Sequence, residues 1–166
     1  MHIALSHLVH WLQSTALSHA IKFYPWIWPA CESLHFIGLA LLVGVAGFLD
    51  LRLLGAFPQV PVYAIHRMVK WAMFGFAINV VTGLIFLIGA PDQYANNVAW
   101  WLKVLFLVIA GLNALFFETT QGRRVMTLGA GAPVPMTFRI VGAVSLVSWL
   151  MVLYWGRMLP FIGTAF

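Results

Sequence analysis

The sequence predicts an all-α fold: a bundle of four transmembrane helices preceded by an amphipathic helix lying in the membrane interface. Composition carries the class. Of 166 residues only 8% are charged and 63% are hydrophobic, and the mean hydropathy is +0.95, which excludes a soluble globular domain. Length carries the count, since a hydrocarbon core of ~30 Å needs about 20 apolar residues per helix and the chain has room for four such spans. Proline and glycine carry the divisions between them.

Taken in order, the N-terminal stretch lacks a basic leader, a continuous apolar core and a cleavage site, so it is expected to stay on the mature protein. Leu5, Leu8, Val9, Leu12 and Ala16 recur at helical spacing, with His7, His10, Gln13 and Ser14 elsewhere, which predicts the interfacial helix over 3–20. Tyr24, Pro25, Trp26, Trp28 and Pro29 form a kinked aromatic entry to the first span. The spans are predicted at 28–57, 62–90, 98–119 and 134–161, within a single integral membrane domain covering 1–166. Pro58 and Pro61 mark a tight first connection, and Pro91 and Asp92 open the second. The third connection, rich in glycine and carrying two prolines, is expected to be the most mobile.

Charge sets the expected orientation. Arg52, Arg67, Lys70, Arg123, Arg124 and Arg139 fall on the side of the first and third loops, against Lys22, Lys103 and Arg157 on the other. The basic excess marks the cytoplasm, so both termini are expected in the periplasm of a bacterial inner membrane. Because the basic residues lie at helix ends, the net charge of +5 implies no nucleic-acid partner. Cys31 is the one cysteine, which excludes an internal disulfide or a cysteine-rich metal site.

An ionisable side chain inside a span is expensive and marks a candidate site. His35 lies about 10 Å below the outer start of its helix, and Lys103 and Arg157 about 7 Å below the outer ends of theirs, at ~1.5 Å rise per residue. An imidazole for iron and two cations for propionates, from three helices, match the needs of haem b. The plainer reading of Lys103 and Arg157 is that they snorkel to the headgroups. Glu32, one turn before His35, is placed to accept its other ring N–H or equally to pair with Lys22 or Lys103. His19 is the candidate second axial ligand if the chain folds back at Pro25, while His2, His7, His10 and His66 read as headgroup-facing. Asp50, Arg52 and Glu118 read as structural ion pairs. Asn79, Thr82, Asn113, Ser145 and Ser148 read as hydrogen-bonding groups between helices. No nucleophile, base and orienting acid stand together, so hydrolysis is not expected.

The segment SLHFIGLALLVGVAGFLDLRLLG, the Asn79-Val80-Val81-Thr82-Gly83 stretch and Trp100-Trp101-Leu102-Lys103 resemble an uncharacterised bacterial family of small four-helix membrane proteins. More distantly, the early histidine, the glycines and the Trp-Leu-x-Lys entry look like HemJ-type protoporphyrinogen oxidase and the membrane domain of CopD-type copper proteins. The HemJ-like resemblance implies a haem-ligating role for His35 and a functional role for Lys103. The histidine that follows that lysine in HemJ-type proteins has no counterpart here, the nearest polar residue being Asn113. The expectation is a haem b protein passing electrons between a periplasmic redox partner and the quinone pool or another redox subunit. CopD-like metal or small-solute transport is the alternative, followed by a non-catalytic anchor or assembly subunit. Gly44-x-x-Gly47 is expected to permit a homo-oligomer.

Overall fold

A computed structural model describes residues 2–125 and 127–162, with side chains at all of these except 2–5 and 123. The side chains of His2, Leu5 and Arg123 and the C-terminal end lie outside the described part. Among the described residues every regular element is helical. Four stretches are long and apolar enough to cross a membrane: Ile27–Leu54, Val62–Gly89, Val98–Gly122 and Met136–Phe161. The chain is thus an all-α four-helix bundle of integral membrane character.

The single interfacial helix expected over 3–20 is two helices, α1 (His2–Gln13) and α2 (Ala16–Phe23). The hydroxyls between them make the break. Ser14 Oγ donates to Trp11 O at 2.8 Å and Thr15 Oγ1 to Leu12 O at 2.7 Å, closing α1, and Thr15 Oγ1 then accepts the Ser18 N–H as N-cap of α2. Both helices are fastened to the bundle. The Gln13 amide donates to Asp92, and Ile21 of α2 packs so closely on Gly89 that an added Cβ there would meet it at 2.9 Å.

The first span, α3 (Ile27–Leu54), ends earlier than predicted because Gly55 takes the left-handed conformation at φ 107°, and Ala56 N–H returns to Leu51 O at 3.0 Å. The second is a short α4 (Val62–His66) leading into α5 (Val69–Gly89). After α6 (Pro91–Ala95), α7 (Val98–Val125) runs beyond the predicted end at 119, so Gln121 and Gly122 are helical and the third loop is shortened. That loop is tied down rather than free: Gly131 N–H donates to Pro58 O at 2.8 Å, and Val62 N–H to Leu128 O at 3.2 Å. The last span, α8 (Met136–Met158), continues into a 3-10 turn, Leu159–Phe161.

α3 is the central member, with α5 against one side and α8 against the other, and α7 packs on the far side of α8. Small residues allow the close approach, as the carbonyl of Gly38 would lie 2.5 Å from a Cβ on Gly75, and the carbonyl of Asp50 3.0 Å from one on Gly142. The packed core fills the arginine-rich end, where Leu53, Val62, Ile65, Val125 and Phe138 are almost fully buried. A second cluster around Leu42, Ala72, Ala110, Trp149 and Val152 closes the middle. Among the described residues the tryptophan-rich end has no comparable core, and a cavity opens there.

The ion pairs expected of Asp50 and Arg52 are not what the structure shows, whereas Glu118 does join two helices through one. Arg52 is 1% exposed and binds carbonyls of the first loop, Nε to Val60 O at 2.6 Å and Nη2 to Pro58 O at 3.3 Å. Glu118 pairs with His66, not with an arginine, at 2.7 Å, so His66 is not a headgroup-facing side chain without a partner. Asp50 is buried, with no ion pair among the described residues. Arginine is the side chain whose fork reaches two loop carbonyls from a helix end; Pro58 O also accepts the Gly131 N–H, while Val60 O has no other donor among the described residues. Arg52→Met is therefore expected to cost about 3 kcal/mol of stability, seen as a lower unfolding temperature in detergent with helix content before the transition unchanged.

Candidate functional site

Where α3 and α5 diverge from α7 and α8, a cavity of about 790 Å³ opens at the tryptophan-rich end. That volume lies in the range of small-molecule and cofactor pockets, roughly 300–1,000 Å³. Its polar half is lined by Glu32 and His35 of α3, Tyr94 of α6, Lys103 of α7 and Arg157 of α8, and its other half is apolar. Asn97 holds the rim in shape: it caps α7 by accepting the Ala99 N–H at 2.9 Å, and its amide donates to Leu159 O at 2.9 Å beyond α8. The two helices that carry Lys103 and Arg157 are thereby fixed to each other.

His35 is half-buried, and Nδ1 stands 2.7 Å from Thr82 Oγ1 of α5. The tautomer follows from counting hydrogens. Thr82 has one hydroxyl hydrogen, and it is given to Ile78 O at 2.7 Å. With that hydrogen on Ile78 O, the hydroxyl accepts from His35 Nδ1–H, the tautomer that leaves the neutral ring's lone pair on Nε2. No described protein group hydrogen-bonds Nε2. The ring is also held by Phe86, at 5.6 Å between centroids, and Phe86 packs on Trp28 at 5.0 Å. The arrangement presents one fixed imidazole nitrogen to a ligand-sized space.

Lys103 points into the bundle rather than along the helix to the headgroups. It lies along Gly156 of α8, where an added Cβ would stand 3.7 Å from Nζ, an ordinary van der Waals contact. Arg157 stands exposed at the mouth, with Cζ 5.2 Å from the Phe161 ring centroid. Tyr94, outside the spans, is pushed up to about 12 by burial and then by the nearby Glu32 carboxylate, so its hydroxyl stays protonated at any physiological pH.

Two of the predicted site residues take other places. His19 is exposed on α2 and is not among the cavity residues, so the chain does not bring it to His35 as a second ligand. α2 is bound to α5, and that docking keeps it from folding over the mouth. Glu32 lines the cavity but accepts from Trp28 Nε1 at 3.1 Å, and the ring N–H of His35 goes to Thr82 instead. Gly44 also lines the cavity, with nothing within 4 Å of an added Cβ, so it makes no close helix contact inside the chain.

Thr82 is the residue whose role the sequence left generic. A signal was there: Thr82 lies about two turns from the end of α5 and His35 about two turns from the start of α3, so antiparallel helices bring them to one depth. Among the described residues no three of His, Cys, Asp and Glu stand together as a metal-binding group. Fold and cavity together define an integral membrane four-helix bundle with a ligand-sized pocket on one side of its midplane. Compared with known protein families, curated proteins and solved structures, the chain matches none.

Proposed function

We propose that the protein is a membrane redox subunit that holds haem b on His35 and passes electrons between a partner at the tryptophan-rich face and the quinone pool or another redox subunit. One observation carries the reading. Thr82 accepting from Nδ1–H leaves Nε2, the nitrogen an iron would use, without a partner among the described residues beside a cavity of about 790 Å³. Lys103 and Arg157 provide cations at the same end for acidic groups on the ring edge, and Phe36, Leu39 and Phe86 provide apolar walls that exclude water. Bound haem would supply one-electron chemistry; the chain's own part is to orient, to neutralise charge and to keep the site dry. His35 is the sole axial ligand in this proposal, since His19 lies elsewhere.

The test is the absorption spectrum of purified protein before and after dithionite reduction, with Thr82→Val beside the wild type. Removing an oriented hydrogen bond to a ligating histidine typically lowers metal affinity about 10–100-fold, so Thr82→Val is expected to retain haem poorly but not to lose it. A Soret band absent from wild type, or unaltered in affinity by Thr82→Val, counts against the assignment. The transport reading finds no cluster of ligands among the described residues to run through.

We also propose that the tryptophan-rich end faces the periplasm of a bacterial inner membrane, on the strength of the basic residues gathered at the opposite end. Reporters inserted near Gln93 are expected to read as periplasmic and those near Gly129 as cytoplasmic. The reverse pattern moves the cavity to the cytoplasmic leaflet.

A further inference from the structure

We infer that the apolar arm of the cavity is a tail channel for an isoprenoid quinone, which enters sideways from the lipid and brings its ring up toward the polar half. The inference rests on the redox reading of the cavity and locates the quinone contact which that reading needs. Shape is the first argument. The α3 residues lining the cavity run from Trp28 to Gly44, about 24 Å at ~1.5 Å per residue, so the space is a long slot. Below His35 its lining is Leu39, Ala40, Val43, Gly44, Gly83 and Val152, with no polar side chain. A linear hydrocarbon suits such a slot, and a polar head does not.

Gly44 and Gly83 supply the second argument, because both line the slot and an added Cβ at either meets nothing within 4 Å. Glycine within a helix gives up conformational stability relative to alanine. At Gly38 and Gly75 the close helix approach explains that choice, whereas at Gly44 and Gly83 it does not, and what their small size leaves is space in the slot. The third argument is access. α5 is held by α3 and α7 by α8, and α5 and α7 do not pack along each other, so the gap between them faces the bilayer, where a quinone is dissolved. At the rim of the polar end, Trp28 and Trp100 offer flat faces that suit a ring better than a glycerophosphate.

The experiment uses the full-length protein as purified, in lipid nanodiscs. Its bound lipids are extracted and identified by mass spectrometry, and binding of a long-tailed ubiquinone is compared with binding of the tail-less benzoquinone bearing the same ring. Wild type is expected to carry a quinone and to prefer the long-tailed form. Gly44→Leu and Gly83→Leu are each expected to weaken long-tailed binding at least about tenfold by filling the slot, with tail-less binding and helix content unchanged. If either variant fails to fold, the other variant and the tail preference of wild type decide. Equal binding of the two quinones, or full long-tailed binding in both leucine variants, overturns the inference. Extraction of a phospholipid without quinone overturns it as well. Absence of a Soret band in a wild type that still holds a slot-dependent quinone defeats the haem proposal and upholds this one.

Discussion

His35→Ala is expected to abolish bound haem, with the Soret band of purified protein falling to background while yield and helix content stay at wild-type levels. Nε2 of His35 is an imidazole nitrogen that no described group engages, and no other histidine lines the cavity to replace it as a ligand to iron. The bundle should survive, because its packed core lies at the other end and His35 gives the α3–α5 interface one hydrogen bond, worth about 1 kcal/mol. Free imidazole in the buffer is expected to restore the band, since the alanine leaves room for it. His66→Ala and His19→Ala are the controls: His66 is engaged by Glu118, and His19 is exposed on α2 away from the cavity. A full band in His35→Ala together with its loss in His66→Ala would place the cofactor at the arginine-rich end and sink the proposal.

Gly75→Val is expected to be the most damaging single change to the fold. An added Cβ at Gly75 would lie 2.5 Å from Gly38 O, 2.9 Å from Leu41 Cβ and 3.0 Å from Leu42 N, and two of these three are backbone atoms that cannot turn aside. Relief requires α3 and α5 to separate along the contact that also brings Thr82 to His35. Overpacking of a well-filled site costs about 1–3 kcal/mol where side chains can adjust, so a cost of at least about 3 kcal/mol is expected here. The readout is a collapse in the yield of monodisperse protein, or a large drop in unfolding temperature. Gly44→Val separates this effect from loss of glycine as such, because an added Cβ there meets nothing within 4 Å and stability should hold. Equal stability of the two variants would mean that the Gly38–Gly75 crossing does not hold the bundle together.

The helices were legible because the signals for them are local. Apolar runs longer than a bilayer's thickness, separated by Pro58, Pro61, Pro91 and the glycines near Gly131, leave little choice of element. Boundaries were less legible where a single side chain decides. The hydroxyls of Ser14 and Thr15 divide α1 from α2, Gly55 stops α3 before 57, and no residue at 119 stops α7, which runs on to Val125. His35, Lys103 and Arg157 could be named as one group because their depths follow from the count of residues along each helix, and all three line the cavity. Glu32 was placed beside His35 on spacing alone. Spacing puts two residues on one helix face, but it does not say which of them a neighbouring helix will engage.

By itself, the sequence determined that this is a four-span membrane bundle with ionisable groups at matched depth toward one end, since transfer free energy and helical rise act residue by residue along the chain. Only the tertiary structure decided that α3 sits between α5 and α8, that Thr82 rather than Glu32 orients His35, that α2 docks on α5 and takes His19 away, and that Arg52 binds loop carbonyls instead of a carboxylate. Each of these turns on which helix lies beside which. With lipid as apolar as the side chains, that choice is made by shape, through close approaches such as Gly38 on Gly75 and Gly142 on Asp50, and by the few hydrogen bonds that cross between helices.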